Sequence, residues 1–287
     1  MKDGNMEEKS TSLGVIILTL NEEANLSLAL DSVYGWADEV LIVDSYSSDD
    51  TLNIANRYDI RVLQNLCSPF LISRQRNWAL ENGGMNTDWI LFLDADEIIT
   101  SDLKQVISET LCDVSAEIAA FQLTPKFMFM GRWLRWCVGY PNWHDRLMRV
   151  GQVSFAGGVW EHFETKGKIG RIEQPYLHYG FNKGFNEWIE RHNRYSDFEA
   201  RDVLETLGIN NDHFGEALTK RRRTLRNLAA RFWPLRPVIR FFYMYFWRFG
   251  FLDGIPGLLY CMMMGFYEFM VVLKVIEMKR RAMDLPV

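Results

Sequence analysis

Asp94 and Asp96 stand directly after the apolar run Trp89-Ile90-Leu91-Phe92-Leu93. A run of that length, rich in aromatic and branched side chains, reads as a buried strand, so the carboxylates begin where the strand ends. In an open α/β sheet that edge is where loops and helix N-termini gather and ligands bind. Asp-x-Asp offers two hard oxygen ligands on one side of a tight turn, which suits Mg²⁺ or Mn²⁺ carrying a phosphorylated substrate. The same tripeptide also reads as a strand end followed by solvated, helix-capping acids, and the neighbouring segments must decide.

Those segments alternate strand and helix. Gly14 to Leu20 reads as a buried parallel strand, after which Leu26, Ala29, Leu30 and Val33 recur at helical spacing. Glu39 to Ser45 is a second strand, followed by the turn-rich Ser45 to Asp50 and a short helix through Ala55 and Tyr58. Arg61 to Leu63 is a third, and Ser68-Pro69 starts a helix that runs to about Asn82. The rhythm predicts an α/β fold with a mostly parallel sheet and helices on both faces. The loops Thr19 to Glu23, Asp44 to Thr51 and Asp94 to Asp96 then share one rim and form a cleft for nucleotide, diphosphate and metal. Asp44, at a strand end, could accept the N3–H of a uracil, and the Glu22-Glu23 backbone begins a helix.

The chain of 287 residues is long enough for one large domain, or one domain with an appendage. A catalytic domain is expected over 12–207 and a basic, aromatic helical region over 208–287. The formal charge of −5 hides an asymmetry, since Lys220 to Arg240 holds eight cations and no acid. An acidic body with a basic collar argues against nucleic-acid binding and for one localised anionic contact. Cys67, Cys112, Cys137 and Cys261 are scattered, so neither a zinc site nor a disulfide framework is signalled and a reducing cytosol fits. The charged stretch Lys2 to Lys9 and the short apolar run to Leu20 do not make a signal peptide, which points to the cytoplasmic side.

Four segments together resemble a known family: Thr19-Leu20-Asn21-Glu22-Glu23, Val43-Asp44 through Thr51, Arg74-Gln75-Arg76-Asn77, and Leu93-Asp94-Ala95-Asp96. They are similar to the family 2 glycosyltransferases of the GT-A fold, over about Leu13 to Thr100. His144-Asp145-Arg146-Leu147-Met148-Arg149, Trp160-Glu161-His162 and Leu177-His178-Tyr179 look like the bacterial branch typified by lipopolysaccharide-core β-glucosyltransferases. There the usual His-Glu pair stands as Trp160-Glu161. The resemblance implies that the first loop, with Thr19, Asn21, Glu22 and Glu23, binds the nucleotide sugar and that Asp44 holds the base. It further implies that Arg76 approaches the uridine or diphosphate, that Asp96 is the main metal ligand, and that Asp94 touches ribose or metal through water. Arg74 and Arg76 lie two apart on a predicted helix and cannot face the same side; Arg76 is assigned to the site.

An inverting transfer is one in-line displacement and needs a general base near the acceptor hydroxyl. Glu161 is the first candidate, since it follows Gly157-Gly158 in an aromatic setting, though a surface acid would read alike. Asp145 is the second, with an ion pair to Arg146 as its alternative. His178 ends the apparent strand Pro175 to Tyr179, and the family often supplies a late histidine to the metal or diphosphate; a buried core histidine is the alternative. His192 falls on the helical pattern of Phe185, Trp188, Ile189 and Tyr195, where packing is the better reading. Trp133, Arg135 and Trp136 read as an acceptor platform, or as an edge strand with Trp on the core, in a mobile loop bounded by Gly131 and Gly139.

The last third is aromatic and apolar. Ile255 to Leu273 could reach roughly 28 Å as a helix, but Pro256, Glu268 and Lys274 interrupt it and Glu268 would sit in hydrocarbon. Cations beside aromatic, Met-rich helices instead suggest an element lying at the headgroups of an anionic leaflet, with ordinary packing or a span as alternatives. The expectation is a membrane-associated, inverting, metal-dependent glycosyltransferase at the cytoplasmic face. It moves a sugar, glucose first, from a UDP-sugar to a hydroxyl of a lipid-linked saccharide. A polyprenyl-phosphate glycosyltransferase and a non-catalytic membrane-bound scaffold are the rival readings.

Overall fold

A computed structural model describes residues 11–67, 71–157, 162–207 and 232–287. The charged stretch Lys2 to Lys9, the helix start at Ser68-Pro69, Gly158, Glu161 and the cations from Lys220 to Arg231 lie outside them. The chain divides into two compact units, residues 1–126 with 141–182, and residues 127–140 with 183–287.

The first unit begins with β1 (Leu13–Thr19), β2 (Glu39–Asp44), β3 (Arg61–Gln64), β4 (Trp89–Asp94), β5 (Glu97–Ile98) and β6 (Ile118–Leu123). After β7 (Pro125–Phe129), which leads into the second unit, and β8 (Arg132–Trp133) come β9 (His144–Arg149), β10 (Val153–Ala156), β11 (His162–Thr165), β12 (Lys168–Arg171) and β13 (Tyr176–His178). Seven strands form one sheet in the order β12-β6-β9-β4-β1-β2-β3. All its neighbours are parallel except β9, which runs antiparallel between β4 and β6.

Alternation along the strands sends successive side chains to opposite faces. Val15, Ile17, Ile42 and Leu91 share a core with α1 (Leu26–Val33), α2 (Thr51–Ala55) and, beyond α3 (Ile72–Asn82), α4 (Ser101–Cys112). Ile16, Leu41, Ile90 and Phe92 pack on the other face with Ala79 of α3 and with Phe155 and Phe163 of the β10–β11 hairpin. Both faces are therefore covered, as the near-continuous apolar strands require. Register sets the functional edge: Thr19 lies beside Asp44, and Leu18 beside Asp94.

In the second unit β7 and β8 pair as a hairpin whose turn residues Met130 and Gly131 have φ of 49° and 72°. The segment that follows is tied down, because the buried Asp253 carboxylate accepts from the amides of Arg135, Trp136 and Cys137. Helix α5 (Gly184–Thr206) packs along the C-terminal helix Gly254–Ala282, with His192 stacked on Trp188 and edge-on to Tyr267. That packing puts α5 in the unit of the C-terminal helix, where the sequence suggested a boundary after residue 207. The C-terminal helix is continuous, contrary to the interruption read from its sequence. Pro256 falls in its first turn, where a missing N–H costs nothing. Glu268 pairs with Arg236 at 2.6 Å, and Lys274 with Asp197 at 2.8 Å. Among the described residues, Gly250–Ala282 is the one stretch long and apolar enough to cross a membrane.

Candidate active site

The loops after β1 and β2 are zipped together by their own polar atoms. Asn21 has φ of 54°, a left-handed turn that Asn tolerates, and its Oδ1 accepts from the Ser48 amide at 2.8 Å. The amide of Glu22 donates to Thr51 and that of Glu23 to Asp49, while the Asp50 amide donates to the Glu23 carboxylate. Asp44 is fully buried beneath them. Its carboxylate accepts from Thr19 Oγ1 at 2.9 Å, from the Ser47 hydroxyl and amide, and from Gln64 Nε2 at 3.2 Å. A nucleobase N–H reaching Asp44 would thus replace one of these donors.

The second cluster forms where β4 ends. Asp94 is half-buried between two guanidiniums, with Arg76 Nη2 at 3.0 Å from Oδ1 and Arg146 Nη2 at 2.6 Å from Oδ2. Arg146 also lies 2.6 Å from Glu97, which is completely buried and accepts from the Asp94 amide. Burial works against the charge on Asp94, but Arg146 and Arg76 outweigh it and hold the carboxyl well below the usual carboxylate range. Glu97 goes the other way: burial first, and the Asp94 charge beside it, push it up to about 7 against the pull of Arg146. Arg76 is buried between the rings of Phe92 and Phe155, at 5.3 and 5.2 Å, whereas Arg74 is exposed. Helical spacing separates the two arginines as expected.

Asp96 turns to a different partner. β13 pairs antiparallel with β5, setting His178 opposite Glu97, and His178 Nε2 lies 3.4 Å from Asp96 Oδ2. Burial disfavours the imidazolium, yet Asp96 above all raises His178 to about 9. Once the imidazole gives up that proton, one carboxylate and one imidazole on adjacent backbones are a fitting pair for a hard or borderline divalent ion. Among the described residues no group of three His, Cys, Asp or Glu can hold an ion unaided. The donor set therefore suits a metal that arrives with oxygen ligands of its own, such as a diphosphate.

The expected Asp145–Arg146 ion pair does not form. Adjacent residues of a strand face opposite sides. Arg146 points to Asp94 and Glu97, while Asp145 accepts from Gln122 Nε2 at 2.8 Å and from the Phe163 amide at 2.5 Å. Asp145 thereby anchors β11 at Phe163, two residues after Glu161 in the sequence. Trp133, Arg135 and Trp136 belong to the second unit, where Arg135 lies over both indoles at 5.4 and 5.5 Å. Sequence reasoning passed over Arg146 and Glu97 as site residues; the acid run Asp94 to Glu97 and the strand alternation around Arg146 were the available signals.

Residues 14–152, carrying both clusters, match Glycosyl transferase family 2. Those residues form a family 2 glycosyltransferase domain. The glycosyltransferase is 27% identical over 277 residues to an uncharacterized glycosyltransferase of Rickettsia felis, covering 92% of this chain and 89% of that one. It is 26% identical over 207 residues to the lipopolysaccharide core biosynthesis glycosyltransferase LpsC of Rhizobium meliloti, covering 68% and 72%. Among solved structures it resembles the mannosyltransferase PcManGT of Pyrobaculum calidifontis, determined with GDP-Man and Mn²⁺. That likeness has a TM-score of 0.50 at 12% identity, covers 94% of this chain and 88% of that one, and shows the shared GT-A fold.

Proposed function

We propose that the chain transfers a sugar, glucose first, from a UDP-sugar to a hydroxyl of a lipid-linked saccharide in cell-envelope glycan synthesis. The transfer inverts the anomeric centre and takes place at the cytoplasmic face of the membrane. The observation that carries this reading is the register that sets Thr19 and Asp44 beside the Asp94–Arg76–Arg146 cluster on one sheet edge. In this reading Asp44 receives the base in exchange for a Ser47 or Gln64 donor, and the first loop, from Thr19 to Glu23, shapes its rim.

Asp96 and His178 hold Mg²⁺ or Mn²⁺, which supplies charge stabilisation to the departing nucleotide when bound. Asp94 is better suited to fixing Arg76 and Arg146 than to ligating the ion, since both its oxygens already accept from guanidiniums. Arg76 and Arg146 then present fixed positive charge toward a diphosphate. Glu161 is the general base, and Asp145, engaged by Gln122 and Phe163, ties down β11 and not the acceptor. The relative named for lipopolysaccharide core synthesis supports an acceptor of that class. The exposed aromatic residues of the second unit support attachment at an anionic membrane surface, with Lys220 to Arg240 adding positive charge.

Calorimetric titration of UDP in Mn²⁺, in EDTA and with Asp96→Ala tests the donor site. Binding should require both the metal and Asp96. Binding indifferent to either would remove the metal and donor assignments together.

A further inference from the structure

The second unit contains a basic pocket that the donor chemistry leaves unused. It has a volume of about 260 Å³ and is walled chiefly by Arg135, Trp136, Gly139, Tyr243, Trp247 and Arg248. Its lining holds two guanidiniums and no carboxylate. Among the described residues neither Arg135 nor Arg248 has an acidic side chain as partner; Arg135 lies over Trp133 and Trp136, and Arg248 over Tyr243 at 5.7 Å. A guanidinium resting on an aromatic face keeps its N–H edge available to an anion.

The fold builds this pocket deliberately. Asp253, 2% exposed, fixes the Arg135 loop through three backbone amides at 2.8–3.0 Å. Gly139 has φ of +75°, and a Cβ there would lie 1.4 Å from Nη2 of Arg248. The Arg248 guanidinium therefore occupies space that any side chain at 139 would fill. The surrounding elements of the same unit expose large apolar groups: Trp247 is 79% exposed, Ile255 74% and Phe242 55%. Aromatic and aliphatic side chains left in water beside arginines form a surface suited to the level of lipid headgroups.

We propose that the Arg135–Arg248 pocket binds the phosphate of an anionic membrane lipid, so that the second unit docks through a specific headgroup contact and not through diffuse charge alone. The inference rests on the membrane attachment proposed above and names its contact.

Flotation of the full chain with vesicles of phosphatidylcholine containing a minority of phosphatidylglycerol, against phosphatidylcholine alone, tests it. Arg135→Gln/Arg248→Gln should weaken partitioning into the anionic vesicles by more than the roughly thirtyfold that diffuse surface attraction of two cations accounts for. A charge-matched control, Arg280→Gln/Arg281→Gln at the far end of the C-terminal helix, should lose clearly less. Arg248→Lys keeps the charge but loses the planar fork, and Gly139→Ala keeps every charge but displaces Arg248; both should weaken partitioning while UDP binding stays unchanged. Equal losses in the pocket and control pairs, or full binding by Arg248→Lys and Gly139→Ala, would overturn the pocket alone. Wild-type protein that ignores anionic vesicles would remove membrane attachment itself. Calorimetric binding of free inorganic phosphate as tight as vesicle binding would make the ligand a soluble phosphate and overturn the lipid assignment.

Discussion

Arg146 neutralises two acids at once, and that is its main consequence for stability. Its Nη2 sits 2.6 Å from both Asp94 and Glu97, and Glu97 has no exposed surface. Removing the guanidinium strands a buried carboxyl beside a second one, a change that typically costs roughly 3–5 kcal/mol. Arg146→Met should lower the urea-unfolding free energy by about that amount, and Arg146→Met/Glu97→Gln should restore a large part of it by removing the stranded charge. A double variant no more stable than the single one would show that Glu97 is not the group left uncompensated. Arg76 differs, since its guanidinium is wrapped by Phe92 and Phe155 as well as paired with Asp94. Arg76→Lys keeps the charge but loses the planar contact, and UDP binding should weaken by about tenfold, the equivalent of about 1.4 kcal/mol. Unchanged affinity in calorimetry would place Arg76 outside the donor site.

At the scale of elements, the Asn77 side chain hydrogen-bonds α3 to β10. Asn77 Nδ2 donates to the Phe155 carbonyl at 2.8 Å, and its Oδ1 accepts from the Phe155 amide at 2.8 Å. Asn77→Ala leaves both backbone groups without that partner, at a cost of about 1–3 kcal/mol, readable as a fall in urea midpoint with unchanged m-value. A shift within error would show that solvent replaces the pair freely. The case also marks what a sequence can disclose. Strands β1, β2 and β4 and the loops after them were legible because buried parallel strands are continuous apolar runs and because the acids fall where the runs stop. The Asn77–Phe155 link joins residues 78 apart, and nothing periodic announces it. The same holds for β9, whose antiparallel place between β4 and β6 decides that Arg146 faces Asp94. Continuity of the C-terminal helix was hidden for a related reason: Glu268 reads as an interruption until Arg236 is placed beside it.

At the scale of the whole molecule, the two units should respond to acid in opposite degree. In the second unit His192 is stacked on Trp188, donates through Nδ1 to the Trp188 carbonyl and meets Tyr267 edge-on. Burial, with Arg191 adding repulsion, lowers it to about 4. A histidine unfolds to an ordinary value near 6.5, so the unfolded chain takes up the proton first. The stability this group contributes is complete above about pH 6.5 and is lost as pH falls toward 4. The first unit holds His144, lowered to about 3 by burial and by Arg146, but it also holds Glu97, raised to about 7. Glu97 takes up its proton in the folded state first, so it adds stability as pH falls from about 7 to 4.5 and offsets His144 over the same window. Peptide-resolved hydrogen exchange, corrected for intrinsic rates, should therefore show α5 and the C-terminal helix losing protection between pH 6.5 and 4.5 while β1 and β4 keep theirs. His192→Gln should flatten the response of α5. Equal loss in both units would mean that acid acts through the general charge of the chain and not through these three groups.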